Sequence, residues 1–308
     1  MKGIVEMNKA SYRRYRRKKR RRKILKIIRI CTFVILIICI GKEVIKNINK
    51  GAENKNKADN AIDVNSDYIE SQNNNFNNTS QRGIRNTLES MVKKDRRMKK
   101  VLKNYDSYPE ELLGMLSRNI EMLDFVLDYP KMKGNVYADN VGKVKKDGIP
   151  LLLQWDPRWG YGNYGESIIG ISGCGPTSLS MVITGLTGDN SVTPYDVAKF
   201  AEEQEYYVPG TGTSWSLFTE GSRHFGVEGR EIPLARSSIY NALQSGHPII
   251  CSMRPGDFTT TGHIIVFTGI KNGKITINDP NSKEKSNQLW DYQTLEHQIN
   301  NLWAFTLL

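Results

Sequence analysis

Hydrophobic and polar positions change their rhythm several times along the chain. The run ILKIIRICTFVILIICIG, residues 24–41, is apolar almost throughout, whereas residues 51–81 have few apolar positions and neither a helical nor a strand period. From 82 to 130 the apolar residues return at helical spacing: Leu88, Met91, Val92, Met98, Val101 and Leu102, then Leu112, Leu113, Leu116, Ile120, Leu123 and Val126 on one side. Ser107 with Glu110 three residues later predicts a capping box, and Pro130 predicts the end of that helix. From Ile149 short apolar runs (IPLLLQW, HPIICSM, GHIIVFTGI, GKITIND, NLWAFTLL) alternate with Gly-, Pro- and Asn-rich turns. Helical patterns there cover 176–186, 193–204, 214–225 and 237–245. Helices come first and strands collect late, which predicts an α+β domain rather than alternating βαβ units.

Charge sharpens the first boundary. Of the formal net charge of +12, about +11 falls in residues 1–23, while 148–308 hold about ten basic and fifteen acidic side chains. That distribution argues against a nucleic-acid surface. The uncharged stretch 30–41 would cover only about 18 Å as a helix, but 24–45 reach about 33 Å if Lys26, Arg29 and Lys42 snorkel to the headgroups. No small-residue cleavage pair follows, and Ile37 and Ile38 stand where a lipobox before Cys39 needs small side chains. The expected order is a basic cytoplasmic tail (1–23), a transmembrane signal-anchor (24–45), a disordered stalk (46–81), a helical accessory segment (82–147) and an α+β domain (148–308). By the positive-inside rule the C-terminal domain is extracytoplasmic, on a single-pass protein of the cell membrane.

The chemistry centres on GISGCGPTSLSMVITGL, residues 170–186. Pro176 belongs in a first helical turn and Leu179, Val182, Ile183 and Leu186 share one face, so Cys174 sits at a helix start. There the dipole and unpaired N–H groups favour a thiolate and could hold an oxyanion. A buried cysteine at a glycine turn would explain the glycines but not the helix end. A thiolate nucleophile needs a base, and the base an orienter. His263 opens one strand-like run, Asp279 closes the next, and KNGK at 271–274 signals the hairpin that brings them side by side. His247 reads as a turn residue, His224 as the end of a helix and His297 as part of a polar helix. Cys251 reads as core, although a bridge from it to Cys174 stays open. Cys174, Cys251 and His263 lack zinc-site spacing, and no phosphate-binding glycine loop is evident, so no metal or cofactor is expected. Gln154, in LLLQWDPRWG, reads as a surface residue at a strand end or as a side-chain amide donor.

QWDPRWG, SGCGPTSLSMV, PGDFTTTGHIIVFTGI, NDPNS and the terminal NLWAFTLL, in that order, resemble the C39-like cysteine peptidases of the papain-like superfamily. The resemblance covers 149–308, and the helical 107–130 also looks like a segment found before such domains. It implies a papain-like fold, with the nucleophile helix packed on an antiparallel sheet. It further implies Cys174 as nucleophile, His263 as general base and acid, Asp279 as orienter and Gln154 as oxyanion-hole donor.

The best-known C39 peptidases are cytoplasmic domains of ABC exporters that trim double-glycine leaders. One span, no ATP-binding motif and a domain outside a Gram-positive-type cell fit a peptide, a surface protein or a cell-wall peptide better as substrate. A catalytically silent binding module, a wall-directed amidase or endopeptidase, and a transferase working through the same thioester are the rival readings.

Overall fold

The computed structural model describes residues 81–144 and 148–308, which belong to one compact unit. The expected basic tail and signal-anchor, and all but the last residue of the expected stalk, lie outside the described residues. Among the described residues no helix is long and apolar enough to cross a membrane.

Four helices come first: α1 (Gln81–Met91), α2 (Met98–Lys103), α3 (Glu110–Arg118) and α4 (Leu123–Met132). Their apolar stripes meet as the periodicity predicts, burying Leu88, Met98, Val101, Leu112, Leu116 and Val126 completely. Three details differ from the sequence expectation. The helix predicted through 107–130 is broken at Asn119, which is extended (φ −140°, ψ 96°) and whose side chain accepts the Glu121 N–H. The Ser107 capping box does not form, because Pro109 takes the N-cap position and no side chain caps α3. Pro130 does not end α4, which runs on to Met132: so near the C-terminus a missing N–H removes only one backbone bond.

The C-terminal part is α+β. Helix α5 (Cys174–Thr187) ends at Gly188, whose φ of 74° is the left-handed cap glycine allows. Helix α6 (Pro194–Glu203) opens on a capping box between Thr193 and Asp196, and α7 (Arg236–Gln244) follows later. The predicted helix at 214–225 is instead one helical turn and a 3₁₀ turn.

Six antiparallel strands form the sheet: β1 (Val227–Glu231), β2 (Ile249–Met253), β3 (His263–Lys271), β4 (Lys274–Asn278), β5 (Leu289–Trp290) and β6 (Ile299–Leu307). Their order is β1-β6-β2-β3-β4-β5. The KNGK turn joins β3 to β4 with positive φ at both Asn272 (54°) and Gly273 (76°), the conformation a two-residue hairpin loop demands. IPLLLQW is not a strand. The Asn278 side-chain amide donates to the carbonyls of Ile149 and Pro150, so a side chain, and not a ladder, satisfies that backbone.

Alternation along the strands divides the core. Ile250, Ile264 and Val266 face α5, packing with Leu179, Val182 and Ile183. Ile249, Cys251, Ile265 and Phe267 face the other way, onto Ile239 and Leu243 of α7. A third cluster joins the four N-terminal helices to Leu153, Trp155, Tyr161 and Ile168 of the following part. Phe125 and Tyr161 stack there with centroids 4.2 Å apart and planes 5° from parallel, and the Tyr161 hydroxyl donates to the Phe125 carbonyl.

Candidate active site

Cys174 is the first residue of α5 and is partly exposed. The flanking glycines are explained by close approach. A Cβ at Gly173 would lie 2.5 Å from an Ile169 side-chain carbon, and one at Gly175 would lie 2.8 Å from Thr213 Oγ1. Thr213 ends the small hairpin 207–213 and is held by the Tyr164 hydroxyl at 2.8 Å.

His263 opens β3, and Asp279 directly follows β4. Imidazole Nε2 stands 2.7 Å from Asp279 Oδ1. Both side chains are withdrawn from water, 9% and 1% exposed. Asp279 is fixed in turn: its Oδ1 accepts the Asn281 N–H at 2.8 Å, and its own N–H donates to Ser286 Oγ at 2.8 Å. Burial pulls the imidazole towards the neutral form, but the Asp279 carboxylate, by charge and hydrogen bond, and the Cys174 sulfur beside it outweigh that, so His263 is pushed up to about 10. With Nε2 on Asp279, Nδ1 is the ring nitrogen left for the sulfur.

The N-terminal helices buttress this arrangement. Asn119, at the break between α3 and α4, donates through its side-chain amide to the Asn281 carbonyl, which also accepts Trp155 Nε1 at 2.9 Å. Glu121 accepts the Lys283 N–H at 2.8 Å. The helix break is therefore where the segment grips the turn carrying Asp279.

Gln154 is brought into the same cleft but is 1% exposed, not a surface residue. Its Nε2 donates to the carbonyls of Gly170 and Ile171, both at 3.1 Å, while Oε1 has no partner. Both amide hydrogens are thus committed to backbone just before the nucleophile, and a role at an oxyanion requires one of them to be released.

The remaining candidates fall elsewhere. Cys251 is free, fully buried on the sheet face away from α5, and burial pushes its thiol well up. The bridge to Cys174 left open by the sequence is not formed, because the sheet stands between the two sulfurs. His224 stacks on Phe200 with centroids 4.4 Å apart, and His297 lies exposed. Among the described residues no cluster of His, Cys, Asp and Glu could hold a metal.

Two clefts meet at Cys174 and His263. One, of about 440 Å³, is walled by Glu110, Glu111, Met115 and Arg118 of α3 and by the loop 258–262. The other, of about 940 Å³, runs under Tyr207 and Trp215. No sequence signal points to the α3 wall, since nothing in an amphipathic repeat says what its polar face will border.

No curated protein matches the chain. Among solved structures, the peptidase domain of Streptococcus ComA, described as a bi-functional ABC transporter involved in a quorum sensing pathway, is 21% identical with a TM-score of 0.37. It covers 52% of this chain and 97% of that one. The family model described as Peptidase_C39 like matches residues 146–306, which hold Gln154, Cys174, His263 and Asp279. On that match, which spans just over half its length, the chain belongs to the Peptidase_C39 like family.

Proposed function

We propose that this protein is a cysteine peptidase working through Cys174, His263 and Asp279, anchored by residues 24–45 with its catalytic part outside the membrane. The observation that carries the reading is the imidazole of His263, held by a buried carboxylate at 2.7 Å and bordered by the Cys174 sulfur where two clefts meet. In the first step the sulfur attacks the carbonyl carbon of a peptide bond, its proton having passed to His263, which then protonates the departing amine. In the second step His263 takes a proton from water, whose oxygen attacks the thioester and releases the acid and the free thiol. Asp279 keeps the ring oriented and stabilises its cationic form. The N–H groups at the start of α5 are the oxyanion donors of first choice, since both Gln154 donors are engaged.

Digestion of a complex peptide mixture, with new termini read by mass spectrometry, tests the chemistry. Cleavage by the wild type that disappears in Cys174→Ala is expected, and cleavage that survives the substitution would refute the assignment. Protease shaving of intact cells tests the topology: loss of the C-terminal part supports the outside placement, and protection until lysis contradicts it.

A further inference from the structure

Arg118 offers chemistry that the triad does not use. It closes α3, is exposed to the cleft that holds Cys174 and His263, and has no ion-pair or hydrogen-bond partner among the described residues. Several other charged side chains of the helical segment are engaged, although Glu111 on the same cleft wall has no ion-pair or hydrogen-bond partner among the described residues. Glu110 accepts from Gln81 Nε2, Glu121 accepts the Lys283 N–H, and Arg97 holds Asp95 and Asp124. The guanidinium lies back along its own helix, with Nη1 3.6 Å from where a Cβ on Gly114 would sit. It is therefore laid along the cleft wall. Surrounding protein withdraws enough water to lower its pKa. A cation at the C-terminal end of a helix complements the dipole, but that role does not require it to border the cleft.

The charged groups along this wall are ordered. Glu110 and Glu111 stand at the first turn of α3 and Arg118 at its last, seven positions after Glu111, about 10 Å along the helix. Arg118 borders only the smaller cleft, whose wall also carries Glu110 and Glu111 at the other end of α3, while the larger cleft is bordered by Glu111, Glu166 and Lys133. A planar fork of N–H donors with no carboxylate of its own, beside a nucleophile, is a receptor for a carboxylate from outside.

Building on the peptidase reading, we propose that Arg118 binds a carboxylate of the substrate, so that the preferred peptides carry a free C-terminus or an acidic side chain within a few residues of the scissile bond. The helical segment is then part of the specificity machinery, although it precedes the family match.

The test uses the full-length chain and bromoacetyl-alanine peptides of one, two and three alanines, each as free acid and as C-terminal amide, together with amides ending in aspartate. Alkylation of Cys174 is followed by peptide mapping. The acid-to-amide rate ratio is expected to be roughly three- to tenfold at one peptide length, to fall to about one in Arg118→Gln, to return in part in Arg118→Lys, and to shrink with salt. If only the aspartate amides show the preference, the carboxylate is a side chain's; if only the free acids do, it is the C-terminus. No wild-type preference for either the free acids or the aspartate amides at any length, or a preference unchanged in Arg118→Gln, overturns the proposal. The ratio needs only slow alkylation, so it judges Arg118 separately from the triad. The triad is judged by whether His263→Ala lowers the absolute rate.

Discussion

If the helical segment and the peptidase part share one core, removing the Phe125 ring should damage both. Phe125 is 2% exposed, stacks on Tyr161 and fills the space above two glycines. A Cβ at Gly160 would come within 2.8 Å of its ring, and one at Gly170 within 2.5 Å. Gly170 also offers the carbonyl that holds Gln154, so the ring supports the backbone leading to Cys174. Phe125→Ala gives up the buried ring and leaves a cavity that glycine backbone cannot collapse to fill, a cost of about 3–5 kcal/mol in comparable cores. The stacking contributes about 0.5–1.5 kcal/mol of that. Urea unfolding should be followed by far-UV circular dichroism and by tryptophan fluorescence, which reports five tryptophans, all in 148–308, with Trp155 inside this cluster. With a slope of about 3 kcal/mol per molar for a unit of this size, the midpoint falls by about 1 M or more, and both signals move together. A loss below about 1 kcal/mol, or a helix signal that melts while the fluorescence transition stays in place, would refute the shared core.

Other outcomes follow from single contacts. Gly175→Ala puts a methyl 2.8 Å from Thr213 Oγ1, so despite the better helix propensity it should cost about 1–3 kcal/mol in denaturant melts by pushing the hairpin 207–213 away; an unchanged or raised midpoint would contradict this. The His263 pKa is raised in the folded state, so its contribution to stability is complete below about 6.5 and is lost as pH rises towards about 10. The urea midpoint should therefore decline across that window, and Asp279→Asn should flatten the decline by removing the largest partner that raises His263. Cys251 should resist alkylation until the protein unfolds, and Cys251→Ser should cost about 1–3 kcal/mol by burying a hydroxyl among Ile265, Met253 and Leu302; labelling of native Cys251 would show that the sheet opens there.

Most of the candidate site's geometry was legible because it rests on local rules. A proline two residues after Cys174 and an apolar helix face placed the cysteine at a helix start. An Asn-Gly turn makes the hairpin that carries His263 and Asp279, and a bulge between Phe267 and Gly269, which the sequence does not signal, shifts its register by one residue. What was not legible depends on tertiary contacts that leave no periodic trace. IPLLLQW looked like a strand, yet Asn278 took over its carbonyls. The helix at 107–130 looked continuous, yet Asn119 and Glu121 turn aside to hold the Asp279 turn. Gln154 could be named as a donor, but not which carbonyls its amide would choose. Arg118 read as an ordinary polar residue of an amphipathic helix, because only the packing of α3 against the peptidase part reveals what its polar face borders.

In the proposed mechanism Cys174 and His263 act as one unit. The direct measurement is the rate of iodoacetamide alkylation of Cys174, read by peptide mapping from pH 5 to 9, in wild type and His263→Ala. An ordinary thiol, with a pKa of about 8.5, is ionised in only about one molecule in three hundred at pH 6. If the two residues act as one unit, His263→Ala slows the pH 6 alkylation of Cys174 at least tenfold. A pH 6 rate that does not change in His263→Ala would contradict it.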